Sequence, residues 1–370
     1  MQAFQITNTN HRNLDGLRAL GILMVIFSHF FGEYINLTLF WTSIDLLFAL
    51  SGLLITGILI ETLHDPRYFK KFYMRRILRI FPVYYLLVLL FVIYVYGLAR
   101  NESSFRYFSD NIGYFLTYTQ NWYFISAGMP VAGHLNHTWS LAIDEQIYLF
   151  WPFLVWVCRS PRKLIYLCGG TVLFSMIFRL WYNHFFIPAH PSPHPFPYFH
   201  NTLCRIDAFA AGSLLYCLLR FRNEFLSGKK MLVLLLLTTA LLLACGWADG
   251  GFGREGALIS DFGCTLAGLH FTTWLYIAIT RKWGWLNAFF SNRLMVYIGR
   301  ISYSLYVFHF FLLVLLTARI RNGLQQFLGI SNQWLALLIC LGITFLVSIL
   351  SFEYFEKPIV RLKKRFSYKN

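Results

Sequence analysis

Arg18 and His29 stand eleven residues apart in an otherwise apolar run. In an α-helix that separation is roughly 16 Å, about half the hydrocarbon thickness of a bilayer, and close to three turns, so both side chains lie on similar faces. An ionisable group in such a run costs several kcal/mol unless it is paired or faces water, which makes each one a functional candidate. Asp45 opens a second apolar run, and the stretch Trp139-Ser140-Leu141-Ala142-Ile143-Asp144-Glu145 opens another. Counting residues in from the ends places Asp45 and Glu145 at the depth of His29. A histidine with two or three carboxylates at one level is the minimum set for a general base with an orienting acid in a partly dry cavity; ion pairing between helices would use the same residues. Ahead of a further apolar run, Arg75, Arg76 and Arg79 fall at i, i+1 and i+4, so Arg75 and Arg79 share a face with Arg76 beside them. Guanidinium forks at that spacing suit a polyanionic phosphate group, and a juxtamembrane basic run also suits anionic lipid.

The elements that must carry these residues are membrane spans. With 57% hydrophobic, 19% aromatic and only 13% charged residues and a mean hydropathy of +0.54, the chain falls outside the soluble class. Runs of about 20 apolar residues predict an all-α, polytopic integral membrane protein with about ten transmembrane helices. They fall near 14–32, 39–61, 80–99, 138–158, 164–183, 202–219, 231–248, 257–279, 296–317 and 333–353. The first is read as a retained span, not a cleaved signal, because it holds Asp15, Arg18 and His29 and lacks a small-residue cleavage site. Of 32 Lys and Arg, 24 fall on the side of the two termini, five on the other and three inside spans. The positive-inside rule therefore places both termini in the cytoplasm. Residues 101–137 are aromatic-rich but broken by Asp110, Asn111, Gln120 and Asn121, and are read as an extracytoplasmic amphipathic or re-entrant segment, since an eleventh crossing would split the basic loops between faces. His184 to His200, with five prolines, is expected to be an extended cap; its histidines lack helical pair spacing, so no metal site is expected. Seven cysteines without a CxxC pair read as buried apolar residues. The positive charges are spread over separate loops, which excludes a nucleic-acid-binding domain.

Taken in order, these motifs resemble acyltransferase family 3, the membrane-bound acyltransferases that include bacterial O-antigen and exopolysaccharide O-acetylases. The resemblance runs through essentially the whole chain as one domain, 1–370, ending in a basic cytoplasmic tail at 357–370. Arg18 and His29 match the family's Arg-x10-His within Asp15-Gly16-Leu17-Arg18, and Phe48-Ala49-Leu50-Ser51-Gly52 follows the acidic Asp45. Arg76-Ile77-Leu78-Arg79-Ile80-Phe81-Pro82 and Trp139-Ser140-Leu141 through Glu145 and Tyr148 match two further motifs. Arg205-Ile206-Asp207 with Gly212, Gly299 through Tyr303 and Tyr306 with His309, and Glu356-Lys357-Pro358 follow the C-terminal pattern. Asp144 departs from the usual Glu-Glu-Gln. The chain ends soon after its last span, which leads to the expectation that the hydrolase-like domain of some members is absent and that the acceptor is bound by the membrane domain alone or with a partner.

The resemblance implies acyl-CoA, acetyl-CoA above all, as a co-substrate from the cytoplasm with no tightly bound cofactor and no metal, and a hydroxyl of a glycan or lipid-linked glycan as acceptor, in a bacterial inner membrane with its lipids as surroundings. Arg76 and Arg79, helped by Arg75, would hold coenzyme A phosphates and Arg18 would guide the pantetheine arm. His29 would take the acyl group transiently or deprotonate the acceptor, with Glu145 and Asp45 orienting the imidazole. Trp139, Ser140, Tyr148, Arg205, Asp207, Tyr303 and His309 would support the site. A transporter or flippase of lipid-linked glycans is the alternative, weakened by the lack of an internal repeat.

Overall fold

The computed structural model describes residues 8–98, 103–130, 133–280 and 284–366, which are mostly helical with no strand among them. In chain order the helices are α1 (Asn8–Phe31), α2 (Ser43–Glu61), α3 (Tyr68–Leu98), α4 (Ser103–Leu116), α5 (Gln120–Ala127), α6 (Trp139–Cys158), α7 (Pro161–Trp181), α8 (Ile187–Ala189), α9 (Pro197–His200), α10 (Thr202–Phe221), α11 (Gly228–Ala248), α12 (Cys264–Thr280), α13 (Gly284–Phe290), α14 (Arg293–Leu328), α15 (Gln333–Leu350) and α16 (Lys357–Arg361). Among the described residues ten segments, built on α1, α2, α3, α6, α7, α10, α11, α12, α14 and α15, are long and apolar enough to cross a membrane. Each coincides with a run expected from the sequence. Four extend clearly further than expected: the third begins at Tyr68, the fifth runs to Ala189, the ninth to Leu328 and the tenth to Phe366. The third therefore carries the basic run on the spanning helix itself.

The centre of the bundle is built from α1, α2, α10, α12 and α14, with α10 against α2, α7 and α12, and α1 against α2 and α14. At the outside, α7, α11 and α15 expose rows such as Leu173 and Ile177, Val233 and Leu236, and Leu338 and Leu346, as helices facing lipid tails do. With no hydrophobic force pulling helices together inside lipid, tight packing requires small residues at the crossings. Two crossings show this. A Cβ added to Gly52 would lie 1.9 Å from the Phe209 carbonyl oxygen, and one on Gly212 would lie 1.8 Å from that of Ala49, so α2 and α10 meet backbone to backbone in both directions. Gly299 meets the Asp15 carbonyl in the same way at 1.9 Å, joining α14 to α1.

One end of the bundle gathers the start of α1, the start of α3 and the last turn. Arg12 donates to the Ser291 carbonyl at 2.8 Å and Arg75 to that of Phe366 at 3.3 Å. We refer to it as the basic end and to its opposite as the far end. Between α3 and α6, α4 and α5 form a hairpin, and neither helix is long enough to span a bilayer. Its tip reaches back to the middle of α3, where Tyr84 and Tyr85 donate to the carbonyls of Phe115 and Leu116, both at 2.8 Å. Gln146 of α6 donates to the Tyr118 carbonyl at 2.8 Å and to Asn121 at 2.9 Å. Residues 101–102 and 131–132 of this segment, and 367–370 of the basic tail, lie outside the described residues.

The stretch expected to be an extended cap is only partly so. Helix α7 continues through a wider turn at Tyr182–Phe186 into α8, and α9 is a further short helix. Pro197 sits in the first turn of α9, where a missing N–H costs nothing. The remainder of the cap folds onto the far end. Ser192 donates to the Ile125 carbonyl at 2.5 Å, and Asn121 donates to that of His200 at 3.0 Å.

Candidate active site

His29 lies in the last turn of α1 and opens into a far-end cavity of about 440 Å³. Its Nδ1 is 2.9 Å from Nε2 of His309 on α14, and the two rings stack with centroids 5.1 Å apart and planes 17° from parallel. Nδ1 of His309 is in turn 2.7 Å from the carbonyl oxygen of Tyr306. A carbonyl only accepts, so a neutral His309 carries its proton on Nδ1 and presents the Nε2 lone pair to His29. His29 must then donate from Nδ1, which leaves its own Nε2 as an unprotonated acceptor. Such an imidazole can take a proton from a hydroxyl or attack a carbonyl carbon. Around it stand Glu33, Trp41, His137, Trp139, Phe199, Arg254, Glu255 and Phe310.

A second cavity, of about 310 Å³, reaches toward the basic end. Three guanidiniums line it, Arg18, Arg76 and Arg79, with the carboxyls of Asp15, Asp144 and Glu145 and an apolar wall from α2 that includes Leu47, Leu54 and Ile58. Arg18 is paired with Asp15 at 2.6 Å. Arg76 lies over the rings of Phe72 and Tyr148, 5.7 and 5.6 Å from their centroids, which holds the fork in place from below. Asp144 Oδ1 and Glu145 Oε1 are buried here without a hydrogen-bond partner. Tyr148 donates to Ser51 at 3.2 Å, and Tyr303 donates to the Ile80 carbonyl at 2.7 Å, both hydroxyls steadying the wall.

Ile44 and Tyr306 line both cavities and form the partition between them. The Tyr306 hydroxyl donates to the His137 carbonyl at 2.7 Å and accepts from Ser140 at 2.5 Å, so the partition is tied to the start of α6. Trp139 turns to the far cavity and Ser140 to the basic one; consecutive helical residues point about 100° apart.

These positions differ from what the sequence suggested. Glu145 does not orient His29: it stands with the arginines on the other side of the partition, and the group hydrogen-bonded to His29 is His309. Asp45 does not orient it either. It is fully buried 3.0 Å from Arg205, whose guanidinium also contacts Cys264 and lies 4.3 Å from the Phe199 ring centroid. Asp207 pairs with Arg179 at 2.8 Å and accepts from Thr265 at 2.6 Å. Asp45, Arg205 and Asp207 thus form a buried ionic layer among α2, α7, α10 and α12, away from both cavities. The expected face of the basic run is also rotated, since Arg76 and Arg79 line the cavity whereas Arg75 turns to the C-terminal turn.

His137, Arg254, Glu33 and Glu255 line the site but were not among the residues singled out. His137 directly precedes Thr138-Trp139 and could have been found there; Arg254 sits in a glycine-rich connection with nothing in its spacing to mark it. The roof over this cavity comes from the cap. His200 packs 4.5 Å from Trp139 and 4.1 Å from His194, centroid to centroid. Burial, and then the Arg254 charge, push His194 down to about 4, and burial also drives His200 well below the usual histidine range. Phe196 donates its N–H to His194 Nδ1 at 2.9 Å, as a neutral ring allows.

With this geometry in place, the comparisons identify the lineage. The model of the acyltransferase domain of acyltransferase family 3 matches residues 11–353. The chain belongs to that family. It is similar to the peptidoglycan O-acetyltransferase OatA of Listeria monocytogenes, 29% identical over 375 aligned positions covering 94% of this chain and 55% of the relative. The putative peptidoglycan O-acetyltransferase YrhL of Bacillus subtilis is 28% identical, over 94% of this chain and 54% of its own length. A putative O-acetyltransferase of Staphylococcus aureus strain COL is 28% identical, over 80% and 50%. The chain thus spans about half the length of the curated relatives it matches. No solved structure matches.

Proposed function

We propose that this acyltransferase is an O-acyltransferase of a bacterial inner membrane that moves an acyl group, most simply acetyl, from cytoplasmic acyl-CoA to a hydroxyl of an envelope glycan. The observation that carries the reading is His29 Nε2, left free as a base by the His309 relay, in an open cavity back to back with an arginine-lined one. Arg76 and Arg79 offer bidentate forks to the coenzyme A phosphates at the basic end, and the excess of Lys and Arg there supports a cytoplasmic orientation. Asp144 and Glu145 have acceptor atoms without partners, and the amide N–H groups of a pantetheine arm would supply the missing donors. The thioester end passes Ile44 and Tyr306 to reach His29.

There the acceptor hydroxyl attacks the thioester carbonyl carbon while its proton passes to His29 Nε2. The C–O bond forms, the carbonyl electrons move to oxygen, and collapse of that oxyanion breaks the C–S bond. The departing sulfur takes the proton from His29, so the histidine ends as it began. A transient acyl group on His29 Nε2 would use the same lone pair. The names of the relatives support a glycan as acceptor. The test supplies labelled acetyl-CoA to inside-out membrane vesicles and follows label into the glycan fraction: transfer by the wild-type chain and none by His29→Ala is expected, and equal labelling by the two would overturn the reading.

A further inference from the structure

Arg254 lies between Gly253 and Glu255 in the connection from α11 to α12 and lines the cavity that holds His29. Its guanidinium is clamped by aromatic faces, 4.8 Å from the Phe196 ring centroid and 4.9 Å from that of Phe199. The loop behind it is fastened twice, by Trp41 donating to the Phe252 carbonyl at 2.9 Å and by Tyr198 donating to the Arg254 carbonyl at 2.8 Å. Its neighbour Glu255 folds back over Gly253, where an added Cβ would sit 1.9 Å from a carboxylate oxygen. Among the described residues no carboxylate is within salt-bridge distance of Arg254, and its side chain makes no hydrogen bond. Three arginines inside the spans behave differently: Arg18, Arg179 and Arg205 are each paired with an aspartate. An arginine has five N–H donors and no acceptor, and one that is held rigid, half-buried and unpaired is prepared for an anion.

We propose that Arg254 selects the acceptor by pairing with an anionic group, carboxylate or phosphate, carried close to the hydroxyl that is acylated. This inference rests on the reading of the far cavity as the acceptor site. The aromatic walls, Trp41 and Trp139 among them, take the apolar faces of sugar rings, and Glu33 and Glu255 accept from sugar hydroxyls. Among the described residues that line the cavity, Arg254 is the one that calls for a negative charge, and its anchored loop fixes the distance from that charge to His29. The acceptor is therefore an acidic saccharide, its charge lying either on a sugar carboxylate or on the diphosphate of a polyprenyl-linked saccharide.

The test measures binding, by the fluorescence of Trp41 and Trp139, to the full-length chain in lipid nanodiscs. Three probes are compared: a neutral chitooligosaccharide, a carboxylated oligosaccharide of the same length, and a polyprenyl diphosphate carrying the neutral sugar. Wild type should bind one or both charged probes about 10- to 100-fold more tightly than the neutral one, the range expected for a charge-assisted hydrogen-bonded contact. Arg254→Gln should abolish that preference while leaving the weak neutral binding within about twofold, and Arg254→Lys should restore it in part. Preference for the carboxylated probe or for the diphosphate identifies the source of the charge. Equal binding of all three by wild type, or a preference that survives Arg254→Gln, would overturn the inference. Because the readout is equilibrium binding, failure of acyl transfer in the vesicle experiment leaves this result standing on its own.

Discussion

The two cavities differ in how they hold charge. In the basic-end cavity three arginines face three carboxyls across an apolar wall, and some of the acceptor atoms have no partner. In the far-end cavity the histidines are relayed to one another and to backbone carbonyls, and aromatic rings, Trp41, Trp139 and Phe310 among them, stand in the wall. The first arrangement suits a flexible ligand with phosphates at one end and amides along its length. The second suits a flat, hydroxylated ligand and a proton that must move. Both meet at Ile44 and Tyr306, so a molecule built for one cavity contacts the other only through its end.

The sharpest way to break the comparison is to remove the base. His29→Ala should lower acyl transfer by about 10³-fold, within the range for general acid–base catalysis, while donor binding measured with a non-hydrolysable thioester analogue stays within about twofold. A loss of donor binding would show that the two cavities do not divide the work. Next comes the relay. His309→Gln removes the ring that accepts from His29 Nδ1, so the imidazole loses its fixed tautomer and orientation; kcat should fall by about 10²-fold with KM for donor unchanged. If Glu145→Gln lowers kcat as much as His309→Gln does, the assignment of the orienting role is wrong. At the other cavity, Arg76→Gln and Arg79→Gln should each raise KM for the donor by about 10- to 50-fold through lost charge-assisted hydrogen bonds. Arg75→Gln, whose guanidinium faces the C-terminal turn, should change it far less.

The ten spans are legible in the sequence because length and apolarity decide them, and the bilayer demands both. The candidate site is legible only in part. Arg18, His29, Arg76 and Arg79 stand out because charge in a span is costly, and each does line a cavity. What composition cannot convey is rotation. Trp139 and Ser140 are neighbours in sequence yet face opposite sides of the partition, and Glu145, counted inward from the same helix start, lands with the arginines. Depth arithmetic places it at the level of His29 but is blind to a wall made by a different helix, here Tyr306 of α14. Asp45 misleads for a related reason: a buried aspartate at the right depth is equally at home against Arg205, and the partner lies on α10, 160 residues away in sequence. His309 could be noticed but not assigned, because its role depends on a contact spanning 280 residues.

The smallest expected effect concerns the roof, which only the far cavity has. His194 is held near 4 in the fold, below the ordinary histidine value, by burial and by the Arg254 charge. His200, packed against it, is held low by burial, by the neighbouring His194 and by the Arg254 charge. Because the unfolded chain binds the proton more readily, the neutral rings contribute fully to cap stability above about 6.5, and that contribution is lost as pH falls from there toward 4. Protection of amides at residues 191–200, with exchange rates taken relative to the intrinsic rate at each pH, should therefore fall over that window, while protection on α3 around Arg76 and Arg79 stays level. His194→Phe keeps an aromatic ring in the stack and removes one titration, so the dependence should shrink to the part owed to His200. Arg254→Gln should move the midpoint slightly upward, since one of the charges opposing protonation is gone. A uniform loss of protection at both cavities would mean that acid loosens the whole bundle and that the roof is no more pH-sensitive than the rest.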